Sequence, residues 1–325
     1  MTEKLHTSAI EPEYFSSNPD PFLTDLGYLG CCQISGADSA SFLQGQLTND
    51  VDELSINQGQ LTSYCTPKGR MLAIFYLIRL EDAYLAIMPK DIIYVVLKRL
   101  QMFILRSKVE INRSENTLLL GACALSNSDL AALTGLDTPN KDYQLAAGNN
   151  KLFKVPGIVD RYIYIGEPLS SSSYPLFTDS YWKWLDIMSG IPSITESTQE
   201  AFVPQMANME LIDGVSFSKG CYPGQEVVAR LHYLGNANRR MFRIECDSEQ
   251  ALIPGDDVYT SGSEQSIGKI VSAVQENSEH NIGLAVIRID AVLENKLSVR
   301  STNGSHLDIL PLPYNVPLEQ KEKKT

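Results

Sequence analysis

LTSYCTPKGRMLAIFYLIRL, residues 61–80, decides the class of fold. Two β-rich runs flank Thr66-Pro67-Lys68-Gly69, where proline presets the turn and glycine follows it, so the stretch predicts a β-hairpin. Downstream, AYLAIMP (83–89) predicts a further strand, DIIYVVLKRLQMFI (91–104) a helix with Asp91 at its N-cap, and SKVEINR (107–113) a closing strand. Residues 59–115 thus read as a hairpin, strand, helix, strand module. Upstream, GYLGCCQISGADSASFLQGQLTND (27–50) predicts a strand, a turn at Ser35 and Gly36, and a short helix with Phe42, Leu43, Gln46 and Leu47 at helical spacing.

Beyond the module, NTLLLGACAL (116–125) predicts a strand and SDLAALTG (128–135) a helix capped by Ser128. KVPGIVDRYIYIGE (154–167) predicts two strands about a proline-glycine turn, and SYWKWLDIMSGIP (180–192) a helix ended by Gly190 and Pro192. Strands and helices mix without strict βαβ alternation, which favours α+β. From Arg240 the pattern changes: MFRIECD, DDVYTSG, IGKIVSAV, NIGLAVIRID, LSVRST and HLDILPLPY are short strands split by glycine, asparagine and serine. They predict an all-β C-terminal domain, a barrel or a sandwich.

The chain has 325 residues, more than one domain of about 100 to 200. Its longest apolar run, Met71 to Ile78, is far short of the ~20 residues a membrane span needs. The first residues carry acids and prolines, with no apolar export core and no arginine-rich import pattern. The expectation is a soluble cytoplasmic protein with loose ends at 1–21 and 319–325. No Cys-x-x-Cys pair and no histidines at metal-ligand spacing accompany the six cysteines, so neither a zinc site nor a disulfide framework is expected. Cys31, Cys32, Cys65, Cys123 and Cys246 lie in or beside apolar runs and read as small buried thiols.

A net charge of −12 argues against broad nucleic-acid binding. One segment differs: between Lys219 and Arg243 stand Lys219, Arg230, Arg239, Arg240 and Arg243 against Glu226 alone, a net of +4. Such a concentration either holds an anion or is a solvated rim. Within it, KGCYPGQEVVAR (219–230) sets Cys221 between Gly220 and Gly224. Pro223 suits a first helical turn, so Cys221 falls just before a helix N-terminus, where the dipole and Lys219 favour thiolate. Glu226 and Arg230 stand at ion-pair spacing. The plainer alternative makes the glycines ordinary turn residues and the cysteine a spectator.

FVPQMANMELIDGVSFSKGCYPGQEVVAR (202–230) resembles the signature of the YgfZ-type folate-binding proteins, relatives of the aminomethyltransferase (T-protein) of glycine cleavage. FLQGQLTNDV (42–51), TPKGRM (66–71) and LPLPY (310–314) extend the likeness over nearly the whole chain from residue 22. The resemblance implies two ferredoxin-like α+β modules plus a C-terminal β-barrel around a central channel that holds tetrahydrofolate. In those terms, 22–58 plus 116–239 form a discontinuous domain, 59–115 an inserted module and 240–318 the barrel. The motif cysteine of the family maps to Cys221, with Lys219, Tyr222, Gly224, Gln225 and Glu226 around it and Arg230 among the basic residues for the folate tail. Of two pterin-flanking ring positions, one maps to Trp182 and the other to Leu29, which has no ring, with Tyr28 beside it; read alone, Trp182 is a core aromatic on an amphipathic helix.

The family also implies an accessory role for iron–sulfur enzymes, notably those that methylthiolate tRNA, by a monomer without membrane or direct nucleic-acid binding. The T-protein uses an acid in the strand after the hairpin turn, where this chain has Ala73 and Ile74, so aminomethyl transfer is expected to be absent. Two other readings stand beside this one. The first is an aminomethyltransferase or demethylase using Asp38 or Asp50. The second is an RNA-binding module built on Arg239, Arg240 and Arg243, against which few aromatics stand in that segment.

Overall fold

The structure, a computed structural model, describes residues 9–318 apart from 12, 14, 115–116, 170–171, 234–236, 261–262 and 295. The expected C-terminal tail and residues 1–8 lie outside the described residues. In chain order the elements are β1 (Phe22–Asp25), β2 (Leu29–Ser35), α1 (Ser39–Gln44), β3 (Gly59–Cys65), β4 (Met71–Arg79), β5 (Ala83–Pro89), α2 (Lys90–Gln101) and β6 (Glu110–Ser114). There follow β7 (Leu118–Cys123), α3 (Asn127–Thr134), β8 (Leu145–Ala147), β9 (Lys151–Val155), β10 (Arg161–Gly166), β11 (Leu176–Phe177), α4 (Asp179–Met188) and α5 (Gln225–Tyr233). The last are β12 (Arg239–Asp247), β13 (Asp257–Thr260), β14 (Gly268–Gln275), β15 (His280–Arg288), α6 (Ile289–Glu294), β16 (Leu297–Val299) and β17 (His306–Leu310).

The class is α+β, with two sheets in the orders β11-β1-β7-β10-β9-β8 and β3-β4-β5-β2-β6. The six C-terminal strands close into a barrel, β12-β15-β14-β13-β16-β17. Each of the six short strands expected from the sequence is present; on β12, alternate residues Phe242, Ile244 and Cys246 fill the barrel core while Arg243 and Glu245 between them are only half-buried. The chain divides into two compact units, one of residues 1–43, 51–61 and 75–185, the other of 44–50, 62–74 and 186–325. Among the described residues no helix is long and apolar enough to cross a membrane.

Several expectations change. The module expected at 59–115 takes a strand from outside those bounds: β2 lies between β5 and β6, with Cys32 opposite both Ala86 and Arg113. The described part of the leader is packed, with Ile10 bridged to Phe177 and Phe15 set against Tyr181 and Trp184. Ser126, not Ser128, caps α3 by accepting from the Asp129 backbone N–H. Asp91 stands inside the first turn of α2 behind an N-cap at Pro89, where its charge still meets the positive end of the helix dipole.

Trp182, on α4, is a core residue with 1% of its surface exposed. The guanidinium of Arg161 lies 4.8 Å from its ring centroid, held there by two hydrogen bonds to the Pro156 carbonyl. Gly121 of β7 is small because a Cβ there would come within 2.5 Å of the indole. The indole is thus packed in the core, as its place on an amphipathic helix implied. Leu29 is likewise buried on β2, and Tyr28 has the Lys183 ammonium 4.5 Å above its ring.

Trp182→Ala should lower the unfolding free energy by about 3–5 kcal/mol, the usual cost of removing a buried tryptophan, in urea denaturation. On the barrel, the hydrogen bond from His280 to Asp247, 2.8 Å, together with nearby Glu276 and Glu245, raises the imidazole pKa above its ordinary value. The charged imidazole therefore stabilises the fold fully below about pH 6.5, and that contribution is lost as pH rises through the raised folded value. Thermal melts should show the difference between wild type and His280→Asn shrinking across that window; a constant difference would disprove the linkage.

Candidate functional site

The hairpin of β3 and β4 reverses at Thr66 to Gly69, where the Gly69 N–H donates to the Thr66 carbonyl at 2.9 Å and Gly69 takes φ +71°. A second turn, Tyr222-Pro223-Gly224-Gln225, closes through a 3.1 Å bond from the Gln225 N–H to the Tyr222 carbonyl, with Gly224 at φ +84°. Proline second and glycine third are the signature of a type II turn. Pro223 thus belongs to the turn ahead of α5 and not to its first helical turn. The two turns meet backbone to backbone: a Cβ on Gly224 would lie 2.5 Å from the Thr66 carbonyl oxygen and 2.6 Å from the Gly69 Cα. Gly69 in turn packs against Val227 of α5. The glycines are therefore required both for their backbone angles and for this approach.

Lys219 is buried, and its ammonium donates to the carbonyls of Gln44, Leu47 and Asn49 at 2.7, 2.7 and 2.9 Å. An ammonium has three donors, so these bonds commit all of them. The lysine expected to favour a thiolate is instead a clamp on the GlnGlyGlnLeuThrAsn loop. Beside it, Thr48 bonds Ser63 Oγ at 3.0 Å and donates to the Gly214 carbonyl at 3.0 Å, so the loop is held on a second side. Tyr222 is buried with its ring 5.4 Å from the Lys219 ammonium, and burial pushes its phenol up.

Cys221 is exposed, and among the described residues its thiol makes no hydrogen bond. The other five cysteines are buried. Burial pushes the thiols of Cys31, Cys32 and Cys65 up to about 12 and raises that of Cys246. Gln225, whose side-chain amide reaches the Gly220 carbonyl at 3.3 Å, braces the loop that carries the thiol. Glu226 and Arg230 are both exposed, and among the described residues they form no ion pair.

The basic segment is used internally more than its charge implied. Arg240 donates to the Gln205 carbonyl at 2.8 Å and pairs with Glu210, while half-buried Arg243 reaches the Met188 carbonyl. Glu210 was not singled out in the sequence. Its Oε1 is taken by Arg240, and its Oε2 is buried without a hydrogen-bond partner, as is Gln205 Oε1. The only sequence signal was an acid set among apolar residues in AsnMetGluLeuIle. Nearby, Asn208 donates to the Met241 carbonyl at 2.8 Å, and Tyr314 of the LPLPY end donates to the Gly190 carbonyl at 2.7 Å. Where a T-protein acid was sought, β4 has buried Ala73 and Ile74. Asp38 accepts the Lys108 N–H, and Asp50 accepts the Gln44 side-chain amide.

The family described as the CAF17 C-terminal beta-barrel domain matches residues 238–311, the barrel strands. The chain is 30% identical over 313 residues to the tRNA-modifying protein YgfZ of Colwellia psychrerythraea, covering 93% of this chain and 95% of that protein. It is 29% identical over 319 residues to the protein of the same name from Pectobacterium carotovorum, covering 95% and 96%. Among solved structures, the glycine cleavage system aminomethyltransferase T from Bartonella henselae aligns with a TM-score of 0.71 over 91% of this chain and 87% of that one, at 13% identity. That last likeness concerns the fold.

Iodoacetamide added to the folded protein should label Cys221 and leave the five buried thiols unmodified until denaturant is added, as read by mass spectrometry of each cysteine peptide. Comparable labelling of Cys246 in the native state would contradict the assignment.

Proposed function

Because the chain belongs to the family of the tRNA-modifying protein YgfZ, we propose that it is a tetrahydrofolate-binding accessory of tRNA modification that serves iron–sulfur enzymes through the thiol of Cys221. The exposure of that thiol carries the reading: of six cysteines it alone lies at the surface, on a loop held by Lys219 and by the approach of Gly224 to Gly69. A thiol that is accessible and held in place can exchange with a disulfide, a persulfide or a cluster ligand brought to it. It has no hydrogen-bonded base among the described residues, so exchange suits it better than acyl transfer.

One buried group fits the cofactor. The pterin of tetrahydrofolate presents a ring N–H and an amino group side by side, a pair of donors that a carboxylate accepts together. Glu210 offers a buried oxygen without a partner, and Arg240 holds the carboxylate in place. Gln205 Oε1 is a second unused acceptor close by in sequence. Bound there, tetrahydrofolate would supply its capacity to carry one-carbon units, while Glu210 and Arg240 would bind and orient it. Ala73 and Ile74 give the β4 strand no acid for aminomethyl transfer.

Calorimetric titration with tetrahydrofolate separates the parts of this reading. Glu210→Gln should weaken binding about tenfold or more, the worth of a hydrogen bond to a charged group, and Cys221→Ala should leave affinity unchanged. In cells, Cys221→Ala should reduce methylthiolated tRNA nucleosides. Wild-type levels of those nucleosides in the Cys221→Ala strain would sink the proposed role of the thiol. Turnover of an aminomethyl-loaded carrier protein would favour a transferase instead.

A further inference from the structure

Phe217, just ahead of KGCYPGQE, and the end of α5 build an aromatic ledge. The His232 ring lies flat on Phe217, with centroids 3.6 Å apart and planes 15° from parallel. Tyr233 stands edge-on to both, 4.9 Å from His232 and 6.4 Å from Phe217, and its hydroxyl donates to the Phe217 carbonyl at 3.5 Å. The three rings fix one another, yet His232 is exposed and Tyr233 is 64% exposed. Rings held rigid and left wet form a stacking surface at little entropic cost.

The charge around the ledge is basic. Arg230 is three residues before Tyr233 on α5, so the two side chains share a face, and Arg230 is exposed with no ion pair among the described residues. Lys68 is exposed at the tip of the hairpin turn whose Gly69 packs on Val227 of the same helix. Glu226, one turn back, is the carboxylate of that face. On a chain of net charge −12, an aromatic surface beside two unneutralised cations is complementary to a planar base that carries a phosphate. The count of aromatics in the basic segment had argued against RNA, but Phe217 lies outside that segment and the fold adds it to His232 and Tyr233.

We propose that this ledge binds an unpaired nucleotide of RNA, its base stacked on the exposed Tyr233 ring with its edge against His232 and its phosphate held by Arg230, an inference that rests on the reading of the protein as an accessory of tRNA modification. Stacking on aromatic side chains is tolerant of base identity, and an arginine fork suits a phosphate. Helix α5, which carries His232 and Tyr233, begins four residues after Cys221, so one short turn of chain joins it to the loop that bears the thiol. Arg230, expected from the resemblance to serve the folate tail, is assigned here to the RNA backbone.

The test is fluorescence anisotropy of the full chain with a short fluorescein-labelled single-stranded RNA. Tyr233→Ala should weaken binding about fivefold or more, and Arg230→Gln should reduce the dependence of log affinity on log salt by about one. Tyr233→Phe should retain most of the affinity, and melting curves should match wild type because these side chains are exposed. The proposal is overturned if the RNA fails to bind, if Tyr233→Ala and His232→Ala leave affinity unchanged, or if Tyr233→Ala weakens tetrahydrofolate as much as RNA, which would make the ledge part of the folate site. Failure of the thiol role appears separately, as intact tRNA modification in a Cys221→Ala strain whose protein still binds RNA through Tyr233.

Discussion

A buried ammonium holds the site together. Lys219 places one charge against three backbone carbonyls, those of Gln44, Leu47 and Asn49, which lie more than 160 residues away in the chain. The first belongs to the last residue of α1 and the other two to the loop that follows it, where helical hydrogen bonding has ended and a donor must come from elsewhere. A buried carbonyl left without a donor costs about 1–3 kcal/mol. An uncharged side chain at position 219 would lose the clamp and expose that cost in several groups together. The loop, the turn that carries Cys221 and the hydroxyl pair of Thr48 and Ser63 all depend on this charge staying where it is.

The glycines do for the backbone what Lys219 does for the loop. Gly224 lies within a Cβ's reach of both Thr66 and Gly69, so the two turns approach more closely than any side chain would allow. With Lys219, Tyr222 and Gly224 engaged in holding the turn, Cys221 is left facing solvent, as are Gly220, Glu226 and Arg230, and it is the nucleophile among them. A motif can therefore be specific in sequence for reasons of packing while one of its members carries the chemistry. The arginines divide in the same way: Arg240 and Arg243 support internal carbonyls and Glu210, while Arg230 is exposed and forms no ion pair among the described residues.

The fold is shared with an aminomethyltransferase, but the acid expected in β4 is replaced by buried apolar residues. One scaffold can serve different chemistries, because its core is held by strands and packing while a reaction depends on a few side chains. Glu210, with one oxygen bound by Arg240 and, among the described residues, one buried without a hydrogen-bond partner, is a polar group held inside that scaffold.

Local structure was legible along the chain in the hairpin about Thr66 to Gly69 and in the six barrel strands, whereas Pro223 read as a first helical turn and proved to belong to a tight turn ahead of α5. The hairpin and the strands follow from neighbours within a few residues, through alternating burial, proline's fixed angle and glycine's freedom at positive φ. The sequence by itself also distinguished Cys221 from the five other cysteines, because those lie in or beside apolar strands and it does not. Tertiary packing was needed to bring β2 between β5 and β6, to seal Trp182 between Arg161 and Gly121, and to leave Glu210, among the described residues, with one oxygen unpaired. The same is true of the direction of Lys219 and of the stacking of Phe217 on His232. The physical reason is that a side chain's partners are chosen by packing among residues far apart in the chain, and periodicity along the chain carries no record of which distant carbonyl, ring or carboxylate will arrive beside it.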